Sequence, residues 1–412
     1  MLIERYYGSV PHSPRLHMNN ESISRRRFVR AVSTGTSSLV LGSTLRVFGD
    51  AVEPLRIIEP FHGAVLNRRL GEEVPAGLKI RVNGEASVRE RVTVNGCLAH
   101  REGKRFTAQV ILRRKENTIT AVADGNVGRR QHQVRILWDR HSQPRYRFSI
   151  DDNSFFLRDV FQKRYASLFD CFYLKLLRDL HTQFGTRFVL NIYYTTGDGF
   201  DLSRFPNCYR GEWQDNADWL KLSFHAYANE PDRPYQKAPV EKLIADLDKV
   251  TEQIVRFAGK STYSPPTVIH WAMVEPAALR ALQERGVRAL SGYFRPSNNG
   301  WDINYRLDDE RSEYLSRHDA LMDFDSSILF SKVDLICNNT QVADIAPTLA
   351  RLAADPNQAE IMDLFTHEQY FWPFYRQYIA DHGQRLETAI RWVTQHGYKP
   401  VFFHEGFLGG KV

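Results

Sequence analysis

Four predicted strands of this chain end in residues that can bind a metal ion or move a proton. One apolar run ends in the adjacent carboxylates of Asp151 and Asp152, and three later runs end in a histidine, at His225, His270 and His367. In folds whose strands alternate with helices, the carboxyl ends of parallel strands share one edge, where functional groups collect. The sequence therefore predicts that an acidic pair and several histidines converge on one metal site.

These residue types suit hydrolysis assisted by a divalent ion. A carboxylate and neutral imidazoles hold such an ion at neutral pH and leave positions for water and for a substrate oxygen. The ion lowers the pKa of its water, so a nearby carboxylate can remove a proton. In this division of roles Asp152 binds the metal, Asp151 is the general base and His367 protonates the leaving amine. The structural alternative is that the aspartates cap a helix or form ion pairs, but four similar strand ends favour a site.

The segment that positions these residues alternates strands with helices from residue 145 onward. Residues 168–184, 240–257, 276–285 and 384–396 have helical apolar spacing, and strands are predicted at 187–194, 267–270, 287–290 and 398–403. This order favours parallel crossover connections and an α/β domain over 145–412 that is either a barrel or an open sheet. Its length suits one barrel-sized domain.

The segment before it, 52–140, has a two-residue alternation typical of antiparallel strands. Apolar alternation occurs at 78–82, 91–94, 106–112 and 118–123, and turns are predicted at Asn83-Gly84, Asn95-Gly96 and Asp124-Gly125. The pattern predicts a small all-β sandwich and resembles the immunoglobulin-like modules attached to secreted bacterial enzymes. Structural support is favoured over a carbohydrate-contacting role, because no catalytic grouping occurs in it.

Residues 1–51 have the composition of an export leader. An arginine cluster around Arg25-Arg26 precedes an apolar run at 31–45, which resembles a twin-arginine signal, and the run is too short and polar to predict a membrane span. The leader contributes +4 of the net charge of +7, so the remaining chain gives little reason to expect nucleic-acid binding. The sequence thus predicts a periplasmic or extracellular protein with no stable membrane span after signal cleavage, and leaves its oligomeric state open.

Residues 145–405 resemble the polysaccharide deacetylase (NodB-homology) superfamily. The motif Ser149-Ile150-Asp151-Asp152 resembles its strand that ends in paired aspartates, and Leu364-Phe365-Thr366-His367 resembles its late strand that ends in the catalytic histidine. The resemblance implies a distorted, incomplete (β/α) barrel and a divalent ion, with zinc favoured. It also implies that Asp151 is the base, Asp152 a metal ligand and His367 the acid.

The third metal ligand is open, because the family's second motif is incomplete. His225 matches its first histidine, but Asn229 stands where a second histidine is usual, and the glycine expected after the aspartate pair is Asn153. Both Asn229 and His270 are candidate ligands, and His270 is slightly favoured because imidazole is the better donor for zinc.

Aromatic residues near the same strand ends could stack on sugar rings. Trp271, Trp372 and Tyr194 are the candidate substrate contacts, although buried aromatic side chains more often fill a core. Residues 297–317 lack periodicity and are predicted to form a loop over the site or an exposed insertion.

The sequence thus predicts an exported, metal-dependent deacetylase that removes N-acetyl or O-acetyl groups from a polysaccharide or oligosaccharide. One alternative is a metal-independent glycoside hydrolase that uses Asp151 with Glu230, Glu368 or Glu405 as the second carboxylate. Another is a catalytically silent glycan-binding protein in which Asn229 reflects a lost metal site.

Overall fold

A computed structural model describes residues 54–125, 128–196, 199–298, 300–405 and 408. The predicted twin-arginine leader lies outside the described residues. All of the described residues belong to one compact unit. Among the described residues, no helix combines the length and the apolar character that a membrane span needs.

Ten strands form the first part of this unit. They are β1 Arg56–Glu59, β2 Val65–Leu66, β3 Glu72–Val74, β4 Gly77–Glu85, β5 Arg91–Val94, β6 Cys97–Leu98, β7 His100–Glu102, β8 Arg105–Leu112, β9 Glu116–Gly125 and β10 Gly128–Trp138. One sheet has the order β1-β4-β8-β7, with β3 also on β4, and the other has the order β2-β10-β9-β5-β6. Their apolar faces enclose one hydrophobic core.

The predicted strands of this region are confirmed, but two of the three predicted turns are misplaced. Asp124 and Gly125 are the last residues of β9 and pair with Arg129 and Gly128. Asn95 and Gly96 have positive φ angles and connect β5 to β6, as predicted. Asn83 and Gly84 instead continue β4, where they pair with Thr107 and Phe106 of β8. The ring of Phe106 lies where a side chain on Gly84 would stand, which explains the glycine by close packing rather than by a turn.

The second part alternates strands and helices as predicted. Its elements are β11 Arg145–Asn153, α1 Phe155–Lys163, α2 Phe172–Phe184, β12 Phe188–Tyr193, α3 Arg210–Asp215, β13 Leu220–Ala226, α4 Val240–Ala258, α5 Ala278–Glu284, β14 Ala289–Gly292, β15 Arg295–Ser297, β16 Gly300–Asp302, α6 Asp309–Leu315, β17 Ala320–Asp323, β18 Ile328–Lys332, β19 Leu335–Ile336, α7 Val342–Ala354, β20 Ile361–His367, α8 His382–Gln395 and β21 Lys399–Pro400.

A six-stranded parallel sheet carries the candidate site. Its order is β13-β12-β11-β20-β19, and β21 pairs with the start of β11. A separate sheet has the order β14-β18-β17. Irregular backbone lies between the two. Leu222 donates a backbone hydrogen bond to Thr262 and accepts one from Ser264, and Ser291 donates one to Thr267. The α/β class is confirmed, and the distorted, incomplete barrel stays a prediction.

Three predicted elements differ from the structure. Residues 267–270 form no regular strand, because the chain turns at His270 into a short 3-10 helix. The predicted strand 398–403 is reduced to β21. The predicted loop 297–317 contains β16 and α6, whose first turn is capped by the Asp308 side chain. An Asp followed by acidic residues is a helix-start signal that the weak periodicity obscured.

The β-sandwich packs directly against the α/β part. Met322 donates a backbone hydrogen bond of 2.8 Å to the carbonyl of Gly63, and Phe61 stacks on Tyr314 with ring centroids 4.8 Å apart. The buried carboxylate of Glu360 accepts from Arg69 at 2.5 Å. Buried polar pairs and stacked rings of this kind couple the stabilities of the two parts.

Gly63→Ala should therefore destabilise both parts together. Gly63 has φ 91°, and a methyl group there would lie 2.4 Å from the Met322 carbonyl oxygen. We expect a loss of about 2–4 kcal/mol in the free energy of unfolding, from left-handed backbone strain plus the clash. Calorimetry should show one transition that moves to lower temperature.

Gly103→Ala is the matched control. Gly103 also has a positive φ, of 57°, but a methyl group there meets no atom within 4 Å. It should cost only the backbone term, about 1–2 kcal/mol. Two separate heat-absorption peaks in Gly63→Ala, with only one of them shifted, would contradict the coupling.

Candidate metal centre

A backbone irregularity brings both carboxylates to one place. The pairing of β11 with β12 shifts register between Ile150 and Asn153, and Asp152 has φ 58°. Successive residues of a regular strand point to opposite faces, so this bulge is what allows Asp151 and Asp152 to share one environment. The Asn153 side chain stabilises the bulge by donating to the carbonyls of Ile150 at 2.6 Å and Asn191 at 3.2 Å.

Asp152, His225 and His270 form a three-donor cluster. Nε2 of His225 lies 3.1 Å from Oδ1 of Asp152 and 3.0 Å from Nδ1 of His270, and that Nδ1 lies 3.5 Å from the same carboxylate oxygen. Ligands bound to zinc at about 2.0–2.1 Å in a tetrahedron are about 3.3 Å apart. The donor set and its spacing therefore fit a divalent ion such as zinc.

His270 reaches the cluster from an irregular turn. Trp271 and Ala272, which follow it, have φ values of 62° and 46°. The Trp271 ring is partly exposed, and the guanidinium of Arg233 lies 4.6 Å from its centroid. Arg233 is itself held by the carboxylate of Asp302. Contact between Trp271 and a glycan stays a prediction. The guanidinium of Arg233 already lies against this ring.

Asn229 lies at the edge of the cluster. The residue is exposed, and its Oδ1 lies 3.2 Å from the hydroxyl oxygen of Tyr193. His270 thus supplies the third donor among the described imidazoles and carboxylates, and Asn229 contacts the cluster through Tyr193.

Tyr193 is a site residue that the sequence analysis missed. Its hydroxyl donates a very short hydrogen bond to Oδ1 of Asp152 and lies 3.3 Å from Nδ1 of His270. Burial and the charge of Asp152 raise the pKa of this phenol well above its usual range, so it stays a donor. Alternation from the polar residue Asn191, two positions earlier on β12, would have indicated that Tyr193 faces the site.

The ring of Tyr194, a predicted sugar contact, packs between other side chains. It is 9% exposed, stacks on Tyr227 at 5.1 Å and lies under the ammonium of Lys249 at 4.2 Å. Trp372 is 3% exposed, and its indole N–H donates to Glu368. Both side chains are buried in the structure, and their roles as sugar contacts stay predictions.

Charge is distributed unevenly within the cluster. Burial alone would raise the pKa of Asp152, but the hydrogen bond from His225 and the charges of the three nearby histidines hold it well below its usual range. Burial opposes a charge on His225 too, yet Asp151 and Asp152 outweigh it and raise the pKa of that imidazole. Burial, assisted by the charge of His225, lowers the pKa of His270 to about 3. A carboxylate and a neutral imidazole are the forms that bind metal.

Asp151 lies beside the cluster with one oxygen still available. It is 4% exposed, and its Oδ1 accepts hydrogen bonds from Asn191 at 2.6 Å and from Ser149 at 3.0 Å. Within the described part of the chain, no donor is recorded for Oδ2. A carboxylate fixed through one oxygen can accept a proton on the other.

His367 is the last residue of β20 and lies in direct register with Asp151 on the neighbouring strand β11. Its Nε2 is 3.9 Å from Oδ2 of Asp152, and its Nδ1 is 3.1 Å from Oδ1 of Asn338. With its amide oxygen facing the ring, Asn338 accepts from Nδ1–H, which leaves Nε2 to exchange a proton on the cluster side. Asn338 is a second residue that the sequence analysis missed, since it lies in a single 3-10 turn after β19, which is too short to show a periodic pattern.

Glu368 and Gln369 complete the surroundings of Asp152. Gln369 donates to Oδ2 of Asp152 at 2.9 Å. Glu368 is 1% exposed and accepts from the backbone N–H groups of Ser154, Phe155 and Phe156 at the start of α1. Burial raises the pKa of Glu368 to about 7 against the opposing effect of these donors.

The three glutamates considered for a glycoside hydrolase lie in different settings. Glu368 is held by the start of α1, as described. Glu405 pairs with Arg187, the residue before β12 and so at the opposite end of that strand from Tyr193. Glu230 is exposed in the loop after Asn229.

The chain matches no protein-family model, and no curated protein aligns with it. Its structure is similar to a mutant of a CE4-family pseudoenzyme with restored enzymatic activity, at 10% identity and a TM-score of 0.31, over 72% of this chain and 88% of that one. A family 123 glycoside hydrolase from Clostridium perfringens aligns at 10% identity and 0.22, over 75% and 69%. An engineered protein aligns at 18% identity and 0.16, over 21% of this chain and only 20% of its own length. These likenesses are too distant to assign a function.

Glu368→Gln should reduce stability and leave metal binding intact. In the wild type, each carboxylate oxygen of Glu368 accepts two N–H donors. A glutamine has one acceptor oxygen, so two of these donors would face its NH₂ group and lose their partner. We expect a loss of about 2–4 kcal/mol in the free energy of unfolding, measured by denaturant titration, because buried unpaired donors cost about 1–3 kcal/mol each.

The control is Glu387→Gln, which removes an exposed partner of Arg391 and should change stability by at most about 0.5 kcal/mol. If Glu368→Gln kept full stability but lost all hydrolytic activity, Glu368 would be a catalytic acid and the structural role assigned to it would be wrong.

Proposed function

We propose that this protein is a metal-dependent deacetylase acting on N-acetyl or O-acetyl groups of a polysaccharide or oligosaccharide. One observation carries the proposal: the donors of Asp152, His225 and His270 lie 3.0–3.5 Å apart, next to a carboxylate with an available oxygen. The resemblance of the strand-end motifs to polysaccharide deacetylases supports it. The predicted twin-arginine leader would place the reaction outside the cytoplasm.

Zinc bound by these residues would supply Lewis-acid chemistry, activating a water and polarising the acetyl carbonyl. Asp151 accepts the proton of the attacking water on Oδ2, while Asn191 and Ser149 fix its other oxygen. The water oxygen bonds to the acetyl carbon. The bond from that carbon to the sugar nitrogen breaks as His367 delivers a proton to the nitrogen, so acetate and a free amine leave.

Tyr193 and Gln369 have supporting roles in this scheme. Each donates a hydrogen bond to a different oxygen of Asp152, which fixes the plane of that carboxylate. Ligands held by such partners keep one orientation, and their affinity for the ion rises.

Elemental analysis should find one divalent ion per chain, and His270→Ala should lose it. The reason is that His270 supplies one of three donors, and two donors bind a divalent ion weakly. We expect the dissociation constant for zinc, measured by chelator competition, to rise at least about 100-fold. Asn229→Ala is the matched control and should raise it by less than about tenfold. If Asn229→Ala lost zinc as completely as His270→Ala, the amide would be the third ligand instead.

Asp151→Asn should keep the ion and lose the reaction. The amide cannot accept the proton, so acetate release from an N-acetylated oligosaccharide should fall by about 10²–10⁴-fold. Acetate is assayed directly, and substrate length is followed by mass spectrometry. Shortening of the oligosaccharide without acetate release would establish the glycoside hydrolase alternative and refute the deacetylase.

A further inference from the structure

Alternate residues of the central strands form a polar row on the side of the sheet away from the helices. On β11, β12 and β13 the buried members of this row include Ser149, Asp151, Asn191, Ser223 and His225. The residues between them pack into the apolar core with the helices. A polar row buried to this degree needs hydrogen-bond partners along its whole length.

Three neighbouring atoms of the row have no such partner among the described residues. They are Oδ1 of Asn191, Oγ of Ser223 and Nδ1 of His225. Asn191 and Ser223 are direct register partners, and His225 is two residues further along the same strand. Each residue is at most 2% exposed. Leaving each atom unpaired would cost about 1–3 kcal/mol, so three adjacent cases indicate one shared partner.

We propose that Asn191 and Ser223 hold a buried water that accepts a hydrogen bond from Nδ1 of His225. This inference rests on the proposed function, because His225 donates from Nδ1 when its Nε2 binds the ion. The amide NH₂ of Asn191 is already engaged with Ser149 and Asp151, so its oxygen is free to accept from the water. The Ser223 hydroxyl supplies the third contact. Buried waters typically make about three hydrogen bonds, to polar groups like these.

The water makes Asn191 and Ser223 positioning residues for the metal site. A histidine ligand commonly donates its second N–H to a partner that fixes the tautomer and the orientation of the ring. The same Asn191 also holds Oδ1 of Asp151 at 2.6 Å. One amide therefore orients the proposed base directly and a metal ligand through the water.

The test removes the water and leaves Asn191 in place, since Asn191 also contacts Asp151. Ser223→Val fills the space with methyl groups and should raise the dissociation constant for zinc about 10–100-fold. Ser223→Thr keeps a hydroxyl and should restore most of the affinity. Ser331→Val is the control, because Ser331 is a buried, unpartnered hydroxyl on β18 rather than on β13. Zinc binding is measured by chelator competition, and apo-protein unfolding is measured for every variant.

A crystal structure of the zinc-loaded protein supplies the second measurement. A water bonded to Nδ1 of His225, Oγ of Ser223 and Oδ1 of Asn191 would support the proposal, and a direct bond between Ser223 and His225 would overturn it. Unchanged zinc affinity in Ser223→Val would overturn the proposed water but not the proposed metal site. A wild-type chain that binds no divalent ion would overturn the metal site, and the water with it.

Discussion

The meeting of Asp152, His225 and His270 is the constraint on which the rest of the site depends. Two imidazoles and a carboxylate taken out of water, within 3.0–3.5 Å of each other, are unfavourable unless their charges and hydrogen bonds are compensated. The surroundings supply that compensation to Asp152, through Tyr193 on one oxygen and Gln369 on the other. Burial is the main cause of the lowered pKa of His270, and the charge of His225 adds to it, because a second imidazolium there would be repelled.

Two departures from regular strand pairing make the meeting possible. The register shift near Asp152 places consecutive carboxylates in one environment, and a second shift, between Ile192 and Tyr193, falls opposite His225. Bulges re-aim side chains in this way at functional sites. Asn153 stabilises the first by supplying side-chain donors to two carbonyls, a role that a glycine at this position could not fill.

Sequence reasoning predicted the alternating α/β order and the convergence of strand-end residues, because apolar periodicity and parallel topology determine both. It did not predict Tyr193 over Tyr194, although alternation from the polar residue Asn191 along β12 favours Tyr193. Nor could it predict that His270 comes from a turn, since Trp271 and Ala272 adopt left-handed angles that their residue types disfavour. Asn338 and Gln369 lie in 3-10 helices of three and four residues, which are too short for a periodic pattern, so only tertiary contacts indicate a role.

The neutral partner of His367 fits the charge balance of the site. Asp151 and Asp152 carry two negative charges, which a divalent cation would balance. A carboxylate in place of Asn338 would add a third negative charge beside His367. The amide orients the ring through Nδ1 without adding that charge. The same reasoning explains why Asn191, an amide, holds Asp151: it fixes the carboxylate without neutralising it.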